Sequence, residues 1–139
     1  MRYRHEIYYN LHKHCLSVRA LQGVPAHRHV FHADAAVLNE VTFAVQQMGR
    51  YRVITQQRKN VHAFVRGELL WVDYHDEGKP VTWEWRDAIN GVMTDPHMIE
   101  VTYNPYKFDS FVNKTTLTPV KTADIVYVVG KSIYALGAK

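Results

Sequence analysis

The stretch GRYRVITQQRKNVHAF, Gly49 to Phe64, decides the fold because it joins the clearest helical pattern in the chain to a strand pattern. Apolar residues recur at helical spacing through its first part and just before it, namely Val45, Met48, Tyr51 and Ile54. Most of the remaining positions are charged or carry amides, as on the exposed side of an amphipathic helix. The pattern predicts the main helix at about residues 42–59, followed by a strand from Val61 to Val65.

On both sides of this stretch, apolar and polar residues alternate in the way that half-buried strands do. The predicted strands are 3–9, 16–20, 61–65, 69–74, 81–85, 98–103, 125–129 and 132–136, with an apolar run of ambiguous type at 30–38. Strands 69–74 and 81–85 are expected to form a hairpin in which Trp71 faces Trp83 and Trp85. Many short strands and one clear helix predict an α+β protein with a largely antiparallel sheet.

Length and composition favour one compact domain over residues 1–139. Of the 139 residues, 47% are hydrophobic and 22% are charged, which is enough for one core and too little for two. No apolar run approaches the roughly 18 residues that span a membrane, and no signal-peptide core follows Met1. Cys15 is the single cysteine, so no intramolecular disulfide forms, and a cytoplasmic location is predicted.

The formal net charge is +4 with neutral histidines, so the surface attracts anions without selecting among them. Two places combine cations with aromatic rings, the pairing that suits phosphates and bases. The candidate ligand-binding residues are Arg50, Arg52, Arg58, Lys59 and His62 in the first place, and Tyr103, Asn104, Tyr106, Lys107 and Phe108 in the second. The alternative interpretations are a solvated helix face for the first place and a proline turn flanked by core aromatics for the second.

Metal binding and hydrolysis are less well supported by the sequence. Histidines two residues apart share one face of a strand, as His12 and His14 or His27 and His29 would, but no Cys, Asp or Glu completes a familiar ligand pattern nearby. No metal and no cofactor is therefore predicted. The chain has no G-x-S-x-G, H-E-x-x-H or P-loop motif. Among enzymes, only a phosphodiesterase or nuclease that uses His62 as a general acid or base stays open.

Several motifs together resemble a family of small bacteriophage and prophage proteins. They are Tyr9–Lys13, Ser17–Arg19, Gly49–Val53, Arg58–Phe64 with Gly67, and Tyr103–Lys107. Among phage proteins, the chain is similar to the anti-Thoeris sponge family. That resemblance implies a counter-defence protein of the infected bacterial cell that sequesters a cyclic ADP-ribose signal, or related cyclic oligonucleotides, without cleaving it. It also implies a homo-oligomer with ligand sites between chains.

The chemistry of such a sponge assigns roles to the candidate residues. Arg58 and Lys59 are expected to contact phosphate, a ring of Tyr103, Tyr106 or Phe108 to stack on a base, and Asn104 to make polar contacts. These roles come from residue chemistry alone. Two other classes stay open: a basic phage inhibitor that binds nucleic acid or a host defence protein, and an enzyme that degrades a nucleotide signal.

Overall fold

The computed structural model describes residues 4–21, 30–57, 61–74 and 83–139, which form eight strands and two helices. In chain order the elements are β1 (Arg4–Asn10), β2 (Cys15–Ala20), β3 (Val30–Val45), α1 (Gln47–Gln56), β4 (Ala63–Tyr74), α2 (Trp83–Thr94), β5 (Ile99–Thr102), β6 (Val112–Asn113), β7 (Thr122–Val129) and β8 (Ser132–Leu136). None of these helices is long and apolar enough to cross a membrane.

The eight strands form one sheet in the order β2-β1-β4-β3-β7-β8-β5-β6, and the neighbouring strands are antiparallel. The beginning of β3 also pairs with β2, so β1, β2, β3 and β4 close into a ring of strands. From this ring the sheet continues through β7, β8, β5 and β6. The predicted antiparallel sheet and the predicted terminal strand pair β7–β8 are therefore confirmed.

Strand β3 connects the two parts of the sheet because its register changes along its 16 residues. One register shift against β4 lies between Asn39 and Thr42, where Glu40 has a φ of 49°. A β-bulge of this kind bends a strand. Gly67 faces the bulge, and a Cβ there would lie 2.8 Å from the carbonyl oxygen of Asn39. Any other residue at this position would push the two strands apart.

Most of the buried apolar residues in the described part of the chain form one cluster, which includes Ile7. Val18 and Val65 stand beside Ile7 on the neighbouring strands. The other buried members are Leu16, Ala33, Ala36, Leu38, Val41, Phe43, Val101, Phe111, Val120, Ala123, Val126, Val128 and Ala135. Each large side chain buried here stabilises the fold by about 1.5 to 3 kcal/mol. The cluster includes residues of β1, β4, β5 and β7, and therefore fixes the strands that surround the candidate site.

The predicted helix at 42–59 was too long. Helix α1 spans Gln47–Gln56, and the residues before it belong to β3. Phe43 is buried and its neighbour Thr42 is exposed, as in a strand. The backbone N–H of Phe43 donates a hydrogen bond to the carbonyl of Lys121. Pairing within the sheet therefore overrides the helical spacing of the apolar residues. The helix ends where Gln57 takes a left-handed φ of 53°.

A second helix, α2, replaces the strand predicted at 81–85. Residues Trp83–Thr94 are helical, and the predicted tryptophan hairpin is therefore wrong. The alternation that suggests a strand is short, whereas Ala88, Ile89 and Val92 recur at the spacing of a helix. Val92 is buried, and α2 contacts β7 and β8. Residues 75–80, which would connect the two strands of the predicted hairpin, lie outside the described residues.

Candidate functional site

A cleft of about 730 Å³ opens between the end of β1, the end of α1 and the segment that follows β5. We call it the aromatic cleft. Its aromatic lining consists of Tyr8, Tyr9, His62, Tyr103, Tyr106 and Phe111, its main aliphatic lining of Ile7, Val65, Val128 and Ile133, and its main polar lining of Asn10, His12, Gln57 and Lys131. A volume of several hundred Å³ with mostly apolar walls and few polar groups is typical of small-molecule sites.

Two asparagine turns shape opposite sides of the aromatic cleft. The Asn10 side-chain oxygen accepts hydrogen bonds from the backbone N–H groups of His12 and Lys13, both at 3.0 Å. The Asn104 side-chain oxygen accepts one from the N–H of Tyr106 at 2.9 Å. Asparagine favours such turns because its short side chain replaces a backbone acceptor. The first turn brings His12 to the cleft, and the second brings Tyr106.

His62 and Tyr103 form a hydrogen-bonded pair inside the aromatic cleft. The Nε2 atom of His62 lies 2.6 Å from the hydroxyl oxygen of Tyr103, and the ring centroids are 5.4 Å apart. The Tyr103 ring also packs on Phe111, with centroids 5.2 Å apart. His62 is buried, and its carbonyl accepts a hydrogen bond from the Gln46 N–H at 2.7 Å. The pair is therefore held by the start of α1 and by the aromatic core.

Burial raises the pKa of Tyr103 from 10.0 to about 12, partly offset by the positive charge of Arg50 and reinforced by Asp109. The phenol therefore stays protonated well into the alkaline range. A protonated phenol donates one hydrogen bond and accepts others. Within a mostly apolar cleft, such a group gives a ligand a fixed polar partner.

Lys131 supplies a cation to the aromatic cleft. Its Nζ atom lies 5.2 Å from the centroid of the Tyr9 ring, within the range of a cation–π contact. The turn between β7 and β8 places it there, because Gly130 adopts a φ of 56° and donates its N–H to the carbonyl of Asp34 at 3.2 Å. Lys131 can thus meet an anionic group at the edge of an aromatic surface.

The structure brings three of the predicted ligand-binding residues together in the aromatic cleft, namely His62, Tyr103 and Tyr106. His62 and Tyr103 form its polar pair, whereas the Tyr106 side chain is 64% exposed. Asn104 lies in the adjacent turn, where its side-chain oxygen is already engaged.

The predicted cations of α1 lie away from the aromatic cleft. The Nε of Arg50 donates to the carbonyls of Pro105 at 3.1 Å and Phe108 at 2.9 Å, so Arg50 braces the loop after β5. Arg50 also lines a separate pocket of about 380 Å³ together with Lys107 and Phe108. Arg52 is exposed on α1 and lines neither pocket.

Arg58 and Lys59, the residues expected to contact phosphate, lie outside the described residues. The neighbouring Gln57 lines the aromatic cleft. Their predicted role stays a prediction. In the described part of the chain, no three His, Cys, Asp or Glu residues are placed to hold a metal ion.

The sequence interpretation missed the lining that comes from β1 and from the β7–β8 turn. Tyr8 and Tyr9 line the aromatic cleft with Lys131. Tyr8 and Tyr9 carry a usable signal, since two adjacent rings directly before a turn-forming Asn10 lie at the turn end of the hairpin. Lys131 carries no such signal, because only the tertiary structure brings it beside Tyr9.

The fold and the aromatic cleft define a small protein built on an antiparallel sheet, with a cavity of the size that small molecules occupy. The chain matches the family model described as Mycobacterium phage L5 gene 82 protein over residues 2–136, and it therefore belongs to that family of phage proteins.

The Gene 82 protein of Mycobacterium phage L5 is 30% identical to this chain over 135 residues, which are 93% of this chain and 92% of that protein. No solved structure matches the chain. The predicted phage character is confirmed by these matches. They name no ligand, so the resemblance to the anti-Thoeris sponge family stays a prediction.

Proposed function

We propose that this protein is a phage counter-defence factor that binds a cyclic nucleotide immune signal in the aromatic cleft and sequesters it uncleaved. The ligand is of the cyclic ADP-ribose type or a related cyclic oligonucleotide. The observation that carries the proposal is the cleft itself, whose volume of about 730 Å³ and aromatic lining suit a small molecule with a flat base. Membership in a phage protein family agrees with a role during infection.

The cleft offers a partner for each part of such a ligand. The exposed ring of Tyr106 and the ring of Tyr9 provide surfaces on which a base can stack. The hydroxyl of Tyr103, paired with His62, can hydrogen-bond the edge of a base or a ribose hydroxyl. Lys131 provides a positive charge for a phosphate. Arg50 and Lys107, which were also predicted to bind the ligand, line the other pocket.

Sequestration without cleavage agrees with the groups that line the cleft. Phosphodiester hydrolysis needs an activated nucleophile, commonly with a carboxylate or a metal ion. The described lining of the cleft contains no Asp or Glu. His62 is buried and its Nε2 is already engaged with Tyr103. A sponge needs only tight binding, for which the polar pair and the rings suffice.

A homo-oligomer is part of the same proposal. Large apolar side chains are exposed around the opening of the cleft, where Leu11 is 50%, Val61 46% and Tyr106 64% exposed. Exposed apolar patches next to a ligand site commonly mark a protein interface. Light scattering after size exclusion tests this point, and a monomer at every concentration would remove it from the proposal.

Retention and release of ligand test the function directly. The purified protein is incubated with cyclic ADP-ribose isomers and cyclic di- and trinucleotides, desalted and heat-denatured, and the released material is identified by mass spectrometry. Stoichiometric recovery of one intact compound is expected. A product of different mass would make the protein an enzyme. If no compound is retained, the sponge proposal fails, and the alternative is an inhibitor that binds nucleic acid or a host defence protein.

Two matched variants test whether the ligand binds in the cleft. Lys131→Ala is expected to weaken binding by about tenfold or more, because a hydrogen bond to a charged group contributes about 1.5 to 3 kcal/mol. Lys107→Ala removes the same charge beside the other pocket and is expected to leave affinity within about twofold, since surface changes away from the site have small effects. Equal losses in both variants would show that net charge, and not the cleft, governs binding.

Salt dependence separates the sponge from a nucleic-acid binder. The logarithm of affinity for nucleic acid falls steeply with the logarithm of salt concentration because each neutralised phosphate releases counterions. A ligand held by Lys131 and by rings is expected to show a slope of about one or less. A steep slope together with binding of single-stranded DNA would contradict the proposal.

A further inference from the structure

A cluster of charge lies on β1, β2 and β4, outside the aromatic cleft. Glu6 stands between Arg19 on β2 and Arg66 on β4 in the strand registers. Its carboxylate forms ion pairs with Arg19 Nη2 and with Arg66 Nε, the latter at 3.0 Å. We call these three residues the Arg–Glu–Arg cluster. None of them lines the cleft.

The cluster is held in a fixed arrangement. Glu6 is 1% exposed, and the guanidinium carbons of Arg19 and Arg66 lie 6.0 Å and 5.3 Å from the centroid of the buried Phe64 ring. A carboxylate between two guanidinium groups above one aromatic ring has little freedom to reorient. An anion that binds the two arginines therefore need not order their side chains, and little binding free energy is lost in that way.

The cluster has more positive charge and more donors than its own carboxylate satisfies. One arginine is sufficient to neutralise Glu6, so the three residues carry a net charge of +1. Each guanidinium has five N–H donors, and the buried Nε of Arg19 has no hydrogen-bond partner in the described part of the chain. Arg4 and Glu68, paired in register beside the cluster, add one charge of each sign and leave this excess unchanged.

Both arginines of the cluster are partly accessible from solvent. The side chains of Arg19 and Arg66 are each 33% exposed, although the Glu6 between them is buried. Planar guanidinium groups match the oxygens of phosphate through paired hydrogen bonds. Phe64 is only 4% exposed and cannot stack on a base, so the two guanidinium groups make the contacts with the anion.

We propose that Arg19 and Arg66, held in place by Glu6, form an anion-binding site for a phosphate group that is separate from the aromatic cleft. The phosphate belongs either to a small molecule or to a nucleic-acid backbone, since the two present the same oxygens. The site does not depend on the function proposed for the cleft.

Pyrophosphate is the probe, and calorimetry measures its affinity for the full chain. Arg66→Ala is expected to weaken binding by about tenfold or more, and Arg66→Lys by severalfold, because lysine keeps the charge without the planar fork. Arg52→Ala, which removes an exposed positive charge from α1, is expected to change affinity by less than about twofold. Glu6→Gln is expected to tighten binding, because it removes the carboxylate that competes for the same donors.

A measurement on the wild-type protein keeps the test valid if a variant does not fold. Pyrophosphate is expected to shift the NMR signals of the Arg19 and Arg66 side-chain Nε–H groups saturably and to leave that of Arg52 in place. No shift of either signal, or wild-type affinity in Arg66→Ala, would overturn the proposal. Saturable shifts of the Val65 and Ile133 methyl signals, which line the aromatic cleft, without shifts at the two arginines would assign the anion to the cleft instead.

A competition experiment identifies the source of the phosphate. A short single-stranded oligonucleotide that displaces pyrophosphate and shifts the same two arginine signals would assign the site to a nucleic-acid backbone. An oligonucleotide that leaves pyrophosphate bound would assign it to a small phosphorylated molecule. Both results support a phosphate site, whereas displacement without any change at Arg19 and Arg66 would contradict it.

Discussion

The aromatic cleft and the Arg–Glu–Arg cluster both draw residues from strands β1, β2 and β4, yet they concentrate opposite chemistry. The cleft is lined by aromatic rings, and Lys131 is the lysine in the part of the lining that the structure describes. The cluster gathers three charged groups over one buried ring. They approach each other where Tyr8 of the cleft packs edge-on against Phe64, with centroids 5.9 Å apart.

This comparison teaches that cations and rings adjacent in sequence need not form one site. In the stretch Gly49 to Phe64, Arg50 turns to the loop after β5 and Arg52 to solvent, while His62 enters the cleft. The described cations best placed for an anion, Lys131, Arg19 and Arg66, come from other parts of the chain.

The largest difference between the two regions is expected in their dependence on charge. Glu6→Ala leaves two guanidinium groups without their buried counter-charge and is expected to lower the free energy of unfolding by about 3 kcal/mol, at the low end for buried pairs because the arginines are partly exposed. Urea unfolding measures this change in the free energy of unfolding. Glu100→Ala, which breaks the exposed pair with Lys114, is the control and is expected to have a much smaller effect. Similar losses in both variants would refute the structural role of the cluster.

Arg50→Ala tests whether bracing of the loop after β5 supports the aromatic cleft. It removes two hydrogen bonds to the carbonyls of Pro105 and Phe108 and is expected to cost about 1.5 to 3 kcal/mol of stability, with weaker ligand binding because Tyr106 follows in that loop. Arg52→Ala on the exposed side of α1 is the matched control, with a change within about 0.5 kcal/mol. Unchanged stability together with lost binding would instead make Arg50 a direct ligand contact.

Tyr103→Phe isolates the polar pair of the cleft. The ring still packs on Phe111, but the hydrogen bond to His62 is lost, so a stability loss of about 1 kcal/mol and an affinity loss of up to about tenfold are expected. Urea unfolding and calorimetry with the retained ligand measure the two effects. Unchanged affinity would show that the pair is structural and does not contact the ligand.

The smallest expected effect is on the alkaline limit of stability. The pKa of Tyr103 is raised by burial from 10.0 to about 12, so the unfolded state loses this proton first as the pH rises. Stability is therefore full below pH 10 and declines between pH 10 and about 12. Tyr103→Phe is expected to reduce this decline. Part of the decline is expected to remain, because burial also raises the pKa of Tyr127. An identical decline in wild type and variant, measured by urea unfolding, would contradict the assignment.

Local sequence patterns predicted the strands well where one face is buried. Ile7 and Tyr9 in β1 and the pair β7–β8 follow simple alternation. The start of α1 was misplaced because Val45 fits both a helical spacing and the end of β3, and only pairing with β4 decides between them. In α2 the alternation around Trp83 was too short to outweigh the helical spacing that follows it.

The candidate site was predictable only in part because it is assembled over long distances. His62 and Tyr103 are 41 positions apart and were both chosen for their chemistry. Their direct contact, and the approach of Lys131 to Tyr9, follow from the closure of the sheet, which no local pattern encodes. The family resemblance supplied the phage context but no contact residues.

Methyl NMR during titration with the retained cyclic nucleotide tests the central claim most directly. Valine and isoleucine methyl groups line the aromatic cleft at Val53, Val65 and Ile133, whereas Val112 lines the pocket beside Arg50. The account predicts saturable shifts of the first three signals with an unchanged Val112 signal. Shifts at Val112 alone, or no shift in the cleft at a ligand concentration that saturates the protein, would contradict it.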